Sequence, residues 1–99
     1  MFRLFKGKER MKLIAKKTII YQGYEIIMEV FELKLSEWSA TILYRIRYTV
    51  AGYERDEDVD ITQLQRMLDR QLDRARTYVE RLVGKKGLES IALEWLNKQ

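Results

Sequence analysis

Every second residue from Trp38 to Val50 is apolar, and this alternation constrains the fold more than any other feature of the sequence. The segment reads WSATILYRIRYTV, and its alternate positions are mostly Ser, Thr and Arg. A period of two, rich in aromatic and β-branched residues, is typical of a strand with one buried face. The sequence therefore predicts a half-buried β-strand and a sheet to which it belongs.

A second strand is predicted over residues 24–35, YEIIMEVFELKL. Its three glutamates recur at helical spacing, which keeps a helix open, but its β-branched and aromatic content favours a strand. With a turn at residues 35–37, four apolar pairs share one face: Tyr24 with Tyr48, Ile26 with Ile46, Met28 with Tyr44, and Val30 with Ile42. Glu25 then faces Arg47 on the other side. The apolar phase flips after Val30, which predicts a bulge or a bend.

A third strand is predicted over residues 12–21, KLIAKKTIIY, pairing back across a two-residue turn at Gln22-Gly23. That register is defined by three pairs: Ile19 with Ile26, Ala15 with Val30, and Lys16 with Glu29. Lys17 then falls on the core face, which indicates an edge strand.

A long helix is predicted over residues 61–83. Asp60 and Gln63 fit a capping box at its start. Apolar residues then recur every three or four positions: Ile61, Leu64, Leu68, Leu72, Ala75, Val79 and Leu82. Gly84 is expected to end this helix, and a shorter one is expected over residues 88–98, with a stripe of its own at Leu88, Ile91, Ala92, Trp95 and Leu96.

These elements predict a single α+β domain over residues 1–99. A three-stranded antiparallel meander (residues 12–50) is followed by the long helix, packed across one sheet face, and by the short C-terminal helix. A basic N-terminal arm (residues 1–11) precedes the sheet, and an acidic loop (residues 51–60) connects it to the long helix.

The composition excludes the commonest catalytic groups and metal ligands. The chain has no cysteine and no histidine. Thiolate nucleophiles, disulfides and the commonest general base are therefore absent, and no catalytic residue, cofactor or metal site is predicted. The longest apolar runs, three residues each, are far shorter than the ~20 residues needed to cross a bilayer. A non-enzymatic protein in the cytoplasm is the expectation.

The sheet face away from the helix is unusually apolar in the predicted registers. A patch of this kind often marks a protein interface. We therefore expect a binding protein that acts as a homodimer, or as an inhibitor or adaptor of another protein. Burial of this face under the C-terminal helix is the competing interpretation. The hypothesised contact residues are Ile27, Phe31, Leu43, Arg45 and Arg47.

The charge distribution supports an alternative function, nucleic-acid binding. Residues 1–17 contain seven Lys or Arg and one Glu, whereas residues 54–60 contain five acids and one Arg. A basic arm is typical of contacts with phosphates, acidic partners or anionic membranes, although Gly7 interrupts a membrane-binding helix and makes membrane binding the weakest of these. The candidate nucleic-acid contacts are Arg3, Lys6, Lys8, Arg10 and Lys12, with Lys85 and Lys86.

The long helix also carries a line of arginines. Arg66, Arg70 and Arg74 are four residues apart, and Arg81 continues the line. Because Asp69 and Asp73 follow Arg66 and Arg70 by three positions, local ion pairs are expected, and they favour a solvated helix face over a phosphate-binding one.

Overall fold

The computed structural model describes residues 10–34 and 42–99. They form an antiparallel sheet with strand order β1-β2-β3-β4 and one long helix. The elements are β1 (Arg10–Tyr21), β2 (Tyr24–Lys34), β3 (Ile42–Val50), β4 (Tyr53–Val59), a 3-10 turn (Ile61–Gln63) and α1 (Leu64–Asn97). The predicted combination of an antiparallel sheet and a long helix is confirmed. The predictions of three strands and of a separate short helix were wrong.

Two hairpins are closed by two-residue turns of the same type. Gln22 and Gly23 join β1 to β2 with φ values of 50° and 83°, and Ala51 and Gly52 join β3 to β4 with φ values of 48° and 83°. Positive φ at both central residues matches the twist of paired strands. The predicted β1–β2 register is confirmed, since Ile19 lies opposite Ile26 and Lys16 opposite Glu29. An irregularity was predicted in β2 after Val30, but the register shift lies in the neighbouring strand β1, between Leu13 and Ala15, opposite that point.

The register of β2 with β3 differs from the prediction. Val30 lies opposite Ile46, and Met28 lies opposite Tyr48. The predicted pairing is offset by four positions along β3, an even number, so the predicted core face is kept. The predicted turn at residues 35–37 is outside the described residues. Glu29 rather than Glu25 lies opposite Arg47.

The predicted acidic loop is instead strand β4. Asp56 and Asp58 lie opposite Arg47 and Arg45 of β3. Asp and Glu are poor strand formers, but here two bidentate ion pairs to the neighbouring strand stabilise the pairing. The sheet therefore has a fourth strand. It was not predicted because the acidic composition of residues 51–60 is typical of a loop.

Helix α1 continues through Gly84 and Gly87, so the predicted stop at Gly84 was wrong. A glycine inside a helix costs only about 1 kcal/mol, which the flanking turns of helix offset. The Asp60 half of the predicted capping box is confirmed, although Asp60 caps the 3-10 turn (Ile61–Gln63) that precedes α1. Oδ1 of Asp60 accepts hydrogen bonds from the backbone N–H groups of Thr62 and Gln63, at 3.0 and 3.2 Å.

The core lies between α1 and one face of the sheet. Its most buried members come from β2, β3 and the first half of the helix: Ile26, Met28, Val30, Ile46, Tyr48, Val50, Met67, Ala75 and Val79. From Val83 onward every residue of α1 is exposed. The first half of the helix thus packs against the sheet, whereas the second half buries nothing.

Candidate binding surfaces

A cleft of about 420 Å³ opens between α1 and the β3–β4 hairpin. Three tyrosines, four arginines, one aspartate and one threonine line it: Tyr48, Tyr53, Tyr78, Arg55, Arg70, Arg74, Arg81, Asp73 and Thr77. We call this site the arginine–tyrosine cleft. Its volume is in the range of pockets that bind small molecules.

The tyrosines form a connected aromatic cluster. The rings of Tyr53 and Tyr78 stack with centroids 4.7 Å apart and an interplanar angle of 20°. Tyr48 lies beneath them, tilted against Tyr53 at 6.1 Å. Burial, followed by the proximity of Tyr53, raises the pKa of Tyr48 above its ordinary value. Tyr53 is 40% exposed, so part of this aromatic surface remains open to solvent.

The arginines of the cleft are largely without counter-ions. Among the described residues, only Arg74 of this cleft has a carboxylate partner, Glu57, at 3.4 Å. Within residues 10–34 and 42–99, no carboxylate oxygen lies within 4.0 Å of the guanidinium nitrogens of Arg55, Arg70 or Arg81. The local ion pair expected between Arg70 and Asp73 is not formed. The main argument for a purely solvated helix face is therefore lost.

Gln71 positions one of these arginines from the core. It is fully buried, and its Nε2 donates to the carbonyl oxygens of Ile46 and Arg55 at 3.0 and 3.1 Å. The Oε1 atom of Gln71 then accepts from Nη1 of Arg74 at 3.1 Å. The helix is thereby tied to two strands at the floor of the cleft.

The second sheet face, turned away from α1, is less open than the sequence suggested. Of the hypothesised contact residues, Phe31 is 8% exposed, and Ile27 and Leu43 are half-buried. Nε of Arg45 donates to Asp58 at 2.8 Å, and Nε of Arg47 donates to Asp56 at 2.7 Å. Hydrogen bonding to Arg47 lowers the pKa of Asp56. The two arginines and three apolar residues do share one face, but their contacts are already made within the chain.

The candidate nucleic-acid residues are not gathered into one site by the described residues. Arg3, Lys6 and Lys8 lie outside them, Arg10 begins β1, and Lys12 is exposed on the same strand. Lys85 and Lys86 belong to α1, where Nζ of Lys86 lies 5.7 Å from the ring centroid of Tyr24.

The C-terminal half of α1 carries an apolar stripe that no other described part of the chain covers. Leu88, Ile91 and Trp95 are 69%, 64% and 59% exposed. The competing interpretation, in which Ile91, Trp95 and Leu96 cover the second sheet face, is therefore wrong. Leu88 follows Val79 by about two and a half turns of helix, so the stripe points away from the side of α1 that packs on the sheet. We call Gly84, Leu88, Ile91 and Trp95 the tail stripe.

The part of the chain that the structure describes has neither a candidate metal cluster nor a helix that could span a membrane. It holds no group of three or more Asp or Glu side chains placed to hold a metal ion. None of its helices combines the length and apolarity that crossing a membrane requires.

Comparisons with protein-family models, with curated proteins and with solved structures found no match to this chain.

The sequence interpretation missed most of the cleft. Tyr53 and Arg55 belong to the strand that was assigned as a loop, and Arg70 was assigned to local ion pairs. One signal was available: Arg70, Arg74 and Arg81 share one helix face. Tyr53 and Arg55 complete the cleft from the sheet. Their position beside the arginine face of α1 follows only from strand β4, which the sequence did not predict.

Proposed function

We propose that this chain is a non-enzymatic binding protein that pairs with a second copy of itself through the tail stripe. The observation that carries the proposal is the exposure of Leu88, Ile91 and Trp95 on one face of α1. Large apolar side chains grouped on a helix face are typical of an interface. The second sheet face supports self-association less well, because Phe31 is buried and Arg45 and Arg47 are already ion-paired.

The spacing of the tail stripe favours a second copy as the occupant. Gly84, Leu88, Ile91 and Trp95 are separated by four, three and four residues. This order reads the same in both directions, so two antiparallel copies can superimpose their stripes around a two-fold axis. Leu88 then faces Ile91 of the second copy, and each Trp95 faces a Gly84.

Side-chain size agrees with this arrangement. Nothing lies within 4 Å of the point where a Cβ atom on Gly84 would stand. The indole of Trp95 from a second copy fills that space, and small residues allow helices to approach closely. Fully burying a large apolar side chain contributes about 1.5–3 kcal/mol. With three such residues per copy, set against an association cost of about 4–15 kcal/mol, we expect a weak dimer that depends on concentration.

The proposal is tested by sedimentation velocity over a concentration series. The wild-type chain is expected to dimerise as its concentration rises, and Ile91→Glu is expected to remain a monomer. Leu93→Glu is the matched control, because Leu93 is 61% exposed but lies on another side of α1. A wild-type chain that stays monomeric throughout, or equal weakening by the two substitutions, would overturn the proposal.

A second pair of variants tests the antiparallel arrangement. Gly84→Trp sets two indoles against each other and is expected to abolish the dimer, whereas Ser90→Trp, at an exposed position on another side of α1, is expected to preserve it. Circular dichroism checks that both variants keep their helix. A dimer strengthened by Gly84→Trp would contradict the antiparallel pairing.

A further inference from the structure

We propose that the arginine–tyrosine cleft binds the phosphate and base of a nucleotide within single-stranded nucleic acid. This site is distinct from the tail stripe and does not depend on dimer formation. Nor does it include the basic N-terminal residues considered from the sequence. The proposal joins three features of the described residues: uncompensated arginines, an accessible aromatic stack, and a cavity of suitable size.

The cleft carries more positive than negative side chains. Four arginines and one aspartate line the cleft, and only Arg74 has a carboxylate within 4.0 Å among the parts of the chain that are described. Arginine presents a planar fork of donors that matches phosphate oxygens. Arg55, Arg70 and Arg81 therefore offer free donors around one cavity, and an anion is the complementary ligand.

Aromatic rings line the same cleft. A simple anion would need no tyrosine, yet three line the cleft, and Tyr53 remains 40% exposed above the others. Base stacking on aromatic side chains beside a basic groove is a general way to hold single-stranded nucleic acid without sequence preference. The combination of arginine and tyrosine thus favours a nucleotide over inorganic phosphate alone.

The line of arginines on α1 is longer than the cleft itself requires. Arg66 precedes Arg70 by one helical turn on the same side of α1, so the arginine line from Arg66 to Arg81 extends about 22 Å at 1.5 Å per residue. A single nucleotide is much shorter than this line. A strand that places one nucleotide in the cleft can keep further phosphates along the helix, which favours a strand over a free nucleotide.

Binding is tested by fluorescence anisotropy with a labelled ten-residue oligothymidine, on the full chain, at about 50 mM salt where electrostatic binding is strong. Arg81→Gln and Arg70→Gln are expected to weaken binding roughly tenfold. Lys16→Gln, which removes the same charge from an exposed position on β1, is expected to have little effect. Equal weakening by Lys16→Gln would show non-specific attraction to net charge and would overturn the site, as would the absence of binding by the wild-type chain.

The aromatic contribution is tested separately. Tyr53→Ala is expected to weaken binding about tenfold, since base stacking of this kind makes a contribution of that order. Tyr53→Phe keeps the ring and is expected to bind like the wild-type chain. If Tyr53→Ala also binds like the wild-type chain, the cleft does not stack a base.

Competition distinguishes the sources of the ligand. Unlabelled oligothymidine is expected to compete better than thymidine monophosphate, and inorganic phosphate to compete least. If thymidine monophosphate competes as well as oligothymidine, the cleft binds a free nucleotide, and the proposal that it binds a strand is wrong. Equal competition by inorganic phosphate overturns base recognition. Ile91→Glu is expected to keep oligothymidine binding, so failure of the dimer and failure of the cleft can be told apart.

Discussion

The side-chain amide of Gln71 on α1 donates a hydrogen bond to the main-chain carbonyl oxygen of Ile46 on β3, 3.0 Å away. Gln71 is the only polar residue among the fully buried side chains of the described residues. Buried polar groups that are fully hydrogen-bonded fix the relative position of the elements they join. Gln71 therefore links the stability of the helix–sheet packing to the placement of Arg74 in the cleft.

Replacing Gln71 by methionine, which is similar in shape but cannot donate, tests this link. Two hydrogen bonds to main-chain carbonyls are lost, so we expect the free energy of unfolding to fall by about 1–3 kcal/mol. Urea unfolding measures the change. Gln65→Met on the exposed side of α1 is the control. An equal effect of both substitutions would show that the buried hydrogen bonds contribute nothing.

The β3–β4 turn contains a residue in a costly conformation. Ala51 has a φ of 48°, in the left-handed region that disfavours most residues, and Gly52 follows it. Asn-Gly is the preferred pair for this turn. Ala51→Asn is therefore expected to raise the free energy of unfolding by about 1 kcal/mol. Ala51→Val, whose branched side chain tolerates this φ poorly, is expected to lower it. Thermal unfolding measures the stability of both variants. If Ala51→Val were more stable than Ala51→Asn, a different turn would join β3 to β4.

The ion pair between Arg47 and Asp56 makes stability depend on pH. Hydrogen bonding to Arg47 lowers the pKa of Asp56 below its ordinary value of 3.8. The stabilisation is therefore complete above pH ~3.8 and is lost as pH falls through the lower folded-state pKa. Because Asp56 is partly exposed, Asp56→Asn is expected to lower stability at neutral pH by less than about 1 kcal/mol.

Urea unfolding from pH 7 to pH 2 checks this sign. The difference between the wild-type chain and Asp56→Asn is expected to shrink at acid pH. The matched control is Asp73→Asn, because Asp73 forms no ion pair within the described ranges. A difference for Asp56→Asn that stays constant over the whole range would mean that the ion pair does not stabilise the folded state.

The sequence predicted those parts of the fold that depend on short-range rules. The β1–β2 register follows from a two-residue turn, which fixes pairing geometrically. The β2–β3 register could not be fixed in this way, because residues 35–41 separate the two strands. Strand β4 was missed because its acidic side chains are stabilised by Arg45 and Arg47, and pairing between strands outweighed intrinsic propensity.

The candidate sites were harder to predict than the fold. The arginine line of α1 was visible, but Arg55 and Tyr53 join it only across the helix–sheet interface. A second apolar stripe was also predicted, but Gly84 was interpreted as the end of the first helix. The phase of the tail stripe differs by about half a helical turn from that of the stripe before Gly84. In a continuous helix this difference leaves the tail stripe facing away from the sheet.

Helix α1 continues through Gly87 without a break. Nothing lies within 4 Å of a Cβ atom built on this residue, and helical alanine is favoured over glycine by about 0.5–1 kcal/mol. Gly87→Ala is therefore expected to increase helix content and slow amide hydrogen exchange over residues 84–97. The control is Gly52→Ala, which is expected to destabilise the chain because Gly52 has a φ of 83°. If Gly87→Ala instead loses helix content, the glycine ends a helix. That result would contradict a continuous α1 and favour two helices separated between residues 84 and 87.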